Sequence, residues 1–223
     1  MRKAESNHSV QEASWPVLIK ATAEIGISLS EAQLEQFRRY EQELLFWNRR
    51  VNLISMKSPL DIPVKHFTDS LTLAEFVPDG SRLLDIGTGA GFPGMPLKIL
   101  KPAISLTLVE SNGRKVSFLK ELARKLQVQA EILHSRVEDL GEQYRGVFDI
   151  VVSRAGLRLR ELLEAGVFFK VPGGKILAMK GGDSREEEAL PEGVINRLGI
   201  VLAGTRELRL PITGDGRKIY IFQ

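Results

Sequence analysis

The chain has no cysteine, only three histidines, and 7% aromatic residues across 223 positions. Without cysteine there is no disulfide framework, no thiolate metal site and no cysteine nucleophile, and such a composition fits a reducing compartment. Long apolar runs are also missing: no stretch approaches the roughly 18 uninterrupted apolar residues of a membrane span. The opening MRKAESNHSVQEAS carries charge, with no apolar segment behind it that could serve as a signal peptide. These absences read as a cytoplasmic protein without membrane attachment. No internal repeat and no low-complexity tract is present, and no metal ion is expected.

What remains is the composition of one soluble domain, 43% hydrophobic and 26% charged. A chain of this length buries a sizeable core and leaves room for a small appendage at most. The 31 basic and 28 acidic residues give a net charge of +3, unevenly spread: Gly80 to Lys180 holds 16 basic against 10 acidic residues. That surplus permits a polyanionic partner, and a merely soluble surface explains it about as well.

Periodicity divides the chain into a helical extension, residues 1–79, packed on a core of residues 80–223. In the extension, Ser30 and Gln33 form a capping box, and Leu34, Phe37, Leu44, Leu45 and Trp47 approximate a helical stripe. An earlier helix begins near Trp15 and Pro16 and ends at Gly26, and a later one covers Val64 to Phe76, bounded by Asp61 or Pro63 and by Pro78. From Arg82 the pattern changes to short apolar runs, RLLDIG, SLTLVE, AEILHS, FDIVVSRA and GKILAMKG, separated by amphipathic stretches such as Gly113 to Leu126. Such alternation predicts a doubly wound α/β fold with a mostly parallel sheet. The tail segments around the turn signal TGDG predict an antiparallel pair closing one edge of it.

The chemistry concentrates in LLDIGTGAGFPG, a strand running into a glycine-rich turn. Gly87, Gly89 and Gly91 let backbone amides approach a ligand closely, and in open α/β sheets ligands sit at the carboxyl ends of the strands. Gly89, Gly91 and Gly94 also satisfy G-x-G-x-x-G, so a dinucleotide fits the pattern as an adenosyl cofactor does. Glu110, ending the second strand, can accept hydrogen bonds from ribose hydroxyls of either. Asp85, two residues ahead of Gly87, gives D-x-G-x-G, which resembles the first motif of class I S-adenosylmethionine methyltransferases with their Rossmann-like fold.

Read in order, NRRVNLIS (Asn48 to Ser55), KHFTDSL (Lys65 to Leu71), DIGTGAGFPGMPL (Asp85 to Leu97), SRVED (Ser135 to Asp139), VSRA (Val152 to Ala155) and MKGG (Met179 to Gly182) resemble the RsmG/GidB family across most of the chain. The resemblance implies a bacterial enzyme that uses S-adenosylmethionine to methylate N7 of a guanine in 16S ribosomal RNA, free or within the small subunit or its precursor. It further implies that Gly87 and Phe92 contact the cofactor, that Val137 and Glu138 flank its adenine, and that Arg154 lies at the site. Lys65 stands where the family commonly has arginine, so a bidentate contact becomes a point charge. Lys65 and His66 are candidate RNA contacts on this basis, with His66 read equally as a polar residue of a helix. Arg158, Arg160 and Lys180 near the mouth are candidate RNA-backbone contacts, each individually also an ordinary solvated charge.

Guanine N7 exposes a lone pair and needs no general base, in keeping with a sequence that shows no evident acid–base pair. The position where exocyclic-amine methyltransferases often carry N-P-P-Y reads SRAG here. Arg154 and Lys180 suit phosphates or guanine O6 better than N7, which gains positive charge, whereas Asp69 is an orienting group or a helix ion pair. Two other readings stay open: a nicotinamide oxidoreductase sharing the glycine loop and Glu110, and a non-catalytic RNA-binding or assembly protein on a methyltransferase fold.

Overall fold

The computed structural model describes residues 15–154, 157–181 and 192–223. The opening MRKAESNHSVQEAS segment, Ala155 and Gly156 of the SRAG stretch, and the last glycine of MKGG lie outside them. A first helix, α1 (15–24), leads to α2 (Glu31–Asn48). A π-helical segment, Asp61–Thr68, then runs into a short α-helix, α3 (Asp69–Leu71). The core alternates β1 (Arg82–Ile86), α4 (Gly94–Leu100), β2 (Ser105–Glu110), α5 (Gly113–Leu126), β3 (Glu131–His134), β4 (Phe148–Arg154), α6 (Leu159–Phe169), β5 (Lys170–Gly181), α7 (Glu192–Leu198), β6 (Leu202–Arg209) and β7 (Gly216–Phe222).

The strands form one sheet in the order β3-β2-β1-β4-β5-β7-β6. The first five are parallel; β7 runs against both β5 and β6, so the terminal hairpin closes that edge. Strand order reverses between β1 and β4, which opens a crevice at their carboxyl ends. There the Ser153 hydroxyl donates to the Ile86 carbonyl at 2.9 Å and ties the two strand ends together.

Alternation along each strand explains the two apolar layers. Leu83, Ile150, Val152, Leu177 and Met179 face a layer completed by α2, α4 and α5, whereas Leu84, Val151, Ile176 and Ala178 face the layer containing Leu159, Leu162 and Leu163 of α6. Each buried leucine contributes roughly 1.5–3 kcal/mol of transfer free energy, so both faces of the sheet are held by side chains two residues apart.

The N-terminal helices are fixed by their ends as well as by their faces. Ser30 and Gln33 form the reciprocal capping box of α2, and the Gln33 side chain also donates to the carbonyls of Ile99 and Leu100 at the end of α4. One residue therefore satisfies the free ends of two helices. The single helix expected over Val64 to Phe76 is instead the π-helical segment from Asp61, the brief α3, and a 3-10 turn at Ala74–Phe76. Within the π-helical segment the Thr68 hydroxyl donates to the Pro63 carbonyl five residues back at 2.7 Å. The expectation rests on Asp61, Pro63 and Pro78 as boundaries, which mark where a helix starts and stops but not the hydrogen-bond period within it. No helix among the described residues is long and apolar enough to cross a membrane.

Candidate active site

The turn after β1 is organised by two carboxylates. Asp85, fully buried, accepts from the Thr88 hydroxyl at 2.7 Å and from the Gly94 amide at 2.8 Å, both through Oδ2, so it braces the loop from beneath. Burial pushes its carboxyl up to about 6, opposed by those two hydrogen bonds. Glu110 accepts from the Gly89 amide at 2.9 Å through Oε2 and from the Asn112 amide at 2.8 Å through Oε1. It thereby links the glycine loop to the start of α5, where Asn112 caps the helix. Each oxygen of the Glu110 carboxylate retains accepting capacity for a ligand hydroxyl.

The four glycines of the loop divide by surroundings. Gly87 is exposed, and a Cβ on Gly89 would meet nothing within 4 Å, although both carry positive φ (67° and 61°). Gly91 and Gly94 face inward: a Cβ on Gly94 would lie 2.8 Å from Leu108 and 2.9 Å from Asp85. The first pair leaves backbone open to a ligand, and the second pair packs the loop against α2 and the sheet.

Beside the loop, Phe92 is buried in a stack. His66 lies against its ring at 5.0 Å and 16°, Tyr40 at 5.4 Å and 9°, and the Arg154 guanidinium sits 4.8 Å from the ring centroid. Arg154, at the end of β4, donates to the Lys65 carbonyl at 3.0 Å, to Asp69 at 3.3 Å and to His66 Nδ1 at 3.1 Å. Asp69 also receives Arg217 of β7 at 2.9 Å, so one buried carboxylate joins α3 to two distant strands. Burial, and next the Arg154 charge, press the His66 pKa down to about 3. Its Nε2 is buried without a hydrogen-bond partner.

Asp85, the glycines, Phe92, Glu110 and Arg154 thus converge at the β1/β4 crevice. Val137 and Glu138 form one wall of a neighbouring groove of about 310 Å³ whose other wall is α6, with Ala165 and Phe168. Lys65 is engaged by Asp61 at 3.4 Å and Asp215 at 3.3 Å. Arg160 is paired with Glu164 on the outer face of α6, and Lys180 donates to the Leu157 carbonyl at 3.3 Å, next to Arg158 at the N-cap. Sequence reasoning misses Tyr40 and Arg217; Tyr40 falls within the helical span of the α2 stripe, and Arg217 carries no signal at all.

Residues 33–204 match the family described as rRNA small subunit methyltransferase G, GidB. The chain belongs to that family. It is 49% identical over 218 residues to the ribosomal RNA small subunit methyltransferase G of Syntrophus aciditrophicus, covering 95% of this chain and 90% of the relative. It is 36% identical to that of Geotalea uraniireducens, covering 96% and 98%. Among solved structures it resembles a SAM-dependent methyltransferase from Aquifex aeolicus, with a TM-score of 0.54 and 19% identity over 71% of this chain and 90% of that one. TrmN from Thermus thermophilus gives a TM-score of 0.54 and 17% identity, covering 83% and 52%. These structural likenesses show a class I methyltransferase fold.

The cofactor of such a methyltransferase fits the loop on the chain's own geometry. Gly87 and Gly89 leave their outward face clear, and the Glu110 carboxylate is held in place beside them by two backbone amides. The nicotinamide reading, which shares these residues, is set aside by the family assignment.

Proposed function

We propose that the protein methylates N7 of a guanine in 16S ribosomal RNA in the cytoplasm, the RNA being free or within the small subunit or its precursor. Methylation of small-subunit ribosomal RNA comes with the family; the atom is argued from the site. When bound, S-adenosylmethionine supplies a methyl group on a positively charged sulfur that serves as its own leaving group.

The observation that carries the reading is the state of the titratable groups around the loop. His66 is a very weak base with Nδ1 occupied by Arg154, and Asp85 is turned into the loop beneath Thr88 and Gly94. Neither is placed to take a proton from an acceptor. Guanine N7 has a ready lone pair and requires no deprotonation, whereas an exocyclic amine loses a proton on methylation. The task left to the chain is alignment, which accounts for roughly 7–11 kcal/mol of a barrier when the geometry is good.

Charge placement supports the same atom. N7 gains positive charge as it is methylated, and an uncompensated cation against it would oppose the reaction. Arg154 is compensated by Asp69 and directed onto the Lys65 carbonyl. Gly87 and Gly89 would hold the cofactor through backbone, Glu110 its ribose hydroxyls, and Val137 and Glu138 its adenine.

The test uses the purified chain, labelled S-adenosylmethionine and small subunits from a strain lacking the modification, followed by borohydride and aniline cleavage at N7-methylguanine. One cofactor-dependent cleavage site is expected. Incorporation of label without cleavage overturns the N7 assignment, and no incorporation into any subunit or precursor favours a binding protein.

A further inference from the structure

We infer that the open groove between α2 and α5, floored by Phe46, docks a single-stranded stretch of the ribosomal RNA substrate with one base stacked on the Phe46 ring. The inference rests on the RNA methyltransferase reading and deepens it. Phe46 is 53% exposed, whereas Phe37 and Tyr40 of the same helix are fully buried and Trp47 packs on Phe118 with ring centroids 5.9 Å apart. The Arg50 guanidinium lies 5.7 Å from the Phe46 ring centroid. Across a groove of about 550 Å³ stands exposed Lys120. Neither Arg50 nor Lys120 has a carboxylate partner among the described residues.

The charge around the ring selects the occupant. Arg124 and Lys125 are already matched by Glu121 and Glu43, so the unmatched charge lining the groove is that of Lys120, with Arg50 beside the Phe46 ring at its edge. An aromatic face flanked by free cations is the arrangement that binds unstacked bases and their phosphates, because every base offers a π-face and every linkage a negative charge. An apolar protein partner would gain nothing from those cations.

Position connects the groove to the reaction. The Gln36 side chain donates to the Leu126 carbonyl and Trp47 meets Phe118, so α2 and α5 run antiparallel and the end of α2 lies over the first half of α5. That half begins at Asn112, which Glu110 ties to the glycine loop. Lys120 stands about 12 Å further along the helix at 1.5 Å per residue, with exposed Arg114 between. RNA whose target base enters the crevice can therefore continue along this shelf.

The experiment measures KM and kcat for methylation of small subunits, and affinity for S-adenosylmethionine, in the full chain and in Phe46→Ala, Phe46→Tyr and Lys120→Glu. Phe46→Ala is expected to raise KM roughly tenfold, the scale of losing one base–aromatic stack, with kcat and cofactor affinity unchanged. Phe46→Tyr, which keeps a stacking face, is expected to behave as the wild type. Lys120→Glu is expected to raise KM and to make binding less dependent on salt. A wild-type enzyme that methylates the subunit with a KM unmoved by Phe46→Ala overturns the shelf and leaves the function standing. A wild-type dimer that Phe46→Ala dissociates assigns the face to a second copy and also overturns it. A wild type that binds the cofactor and methylates no ribosomal RNA overturns the functional reading itself.

Discussion

Arg154 donates through Nη2 to Nδ1 of His66 at 3.1 Å, and this contact sets the tautomer of the histidine. A guanidinium has donors only, so Nδ1 must accept, and the neutral ring then carries its hydrogen on Nε2. The ring is also clamped against Phe92. The chain thus builds a neutral histidine into a cationic corner, the charge there belonging to Arg154 and Arg217 and being answered by Asp69.

That tautomer is directly observable. Nitrogen chemical shifts of His66 are expected to show the Nε2-protonated form with no titration above about pH 4, the folded value being about 3 against an ordinary 6.5. Because the folded value is depressed, the unfolded chain takes up the proton first. The stability tied to His66 is complete above pH 6.5 and is lost as pH falls toward 3. Arg154→Gln should raise the pKa, yet leave it below 6.5, because burial acts before the Arg154 charge. A ring that titrates normally in the folded wild type refutes the arrangement.

Asp69→Asn preserves shape and removes the charge that Arg154 and Arg217 share. Asp69 is 3% exposed and each arginine 17%, so the variant removes the one carboxylate that ion-pairs directly with both largely buried guanidiniums. A loss of about 3–5 kcal/mol is expected, read from urea denaturation. A loss below about 1 kcal/mol would mean that solvent, not Asp69, carries the balance.

Asp85 gives a pH signature of opposite sign to that of His66. Its folded value of about 6 lies above the usual 3.8, so its contribution to stability is fully present below about pH 4 and is lost as pH rises through 6. Each tenfold difference in proton affinity between the folded and unfolded chain is worth about 1.4 kcal/mol, so the stability of the wild type relative to Asp85→Asn should fall by about 2 kcal/mol between pH 4 and pH 7. A difference that is flat across that range sinks the assignment of a buried, raised carboxyl beneath the loop.

These contacts mark how far the sequence can be read. The strands are legible because parallel strands buried on both faces are short apolar runs, and α5 is legible to its ends because a clean amphipathic stripe follows Asn112. The glycine loop and Glu110 are legible because both sit at strand ends with a known use. The helix expected over Val64 to Phe76 differs because Asp61, Pro63 and Pro78 mark boundaries and carry no sign of the hydrogen-bond period that makes Asp61–Thr68 π-helical. Asp69 can be named with two roles but not assigned one, since its partners lie 85 and 148 residues away. From sequence Gly91 reads with Gly87 and Gly89 as ligand-facing, and nothing local distinguishes it; the difference is the hydroxyl of Tyr40, far earlier in the chain and legible only as a helix residue.

Gly91 and Tyr40 make that distinction measurable. A Cβ on Gly91 would lie 2.6 Å from the Tyr40 hydroxyl, 3.2 Å from Met95 and 3.3 Å from Leu119, at a φ of +96°. Tyr40 has nowhere to retreat: it is fully buried, stacked on Phe92, and bonded through that hydroxyl to the Ala90 carbonyl. Backbone strain of about 1–2 kcal/mol and overpacking of about 1–3 kcal/mol together predict that Gly91→Ala loses roughly 2–5 kcal/mol. Gly89→Ala, with open space around its Cβ, should show the backbone cost alone and a larger effect on cofactor binding than on folding. Tyr40→Phe removes the clashing oxygen along with its hydrogen bond, so the double variant Tyr40→Phe/Gly91→Ala should be more stable than the sum of the two single losses. The cycle is measured by chemical denaturation. Strict additivity would show that the loop yields elsewhere and that Gly91 faces the ligand after all.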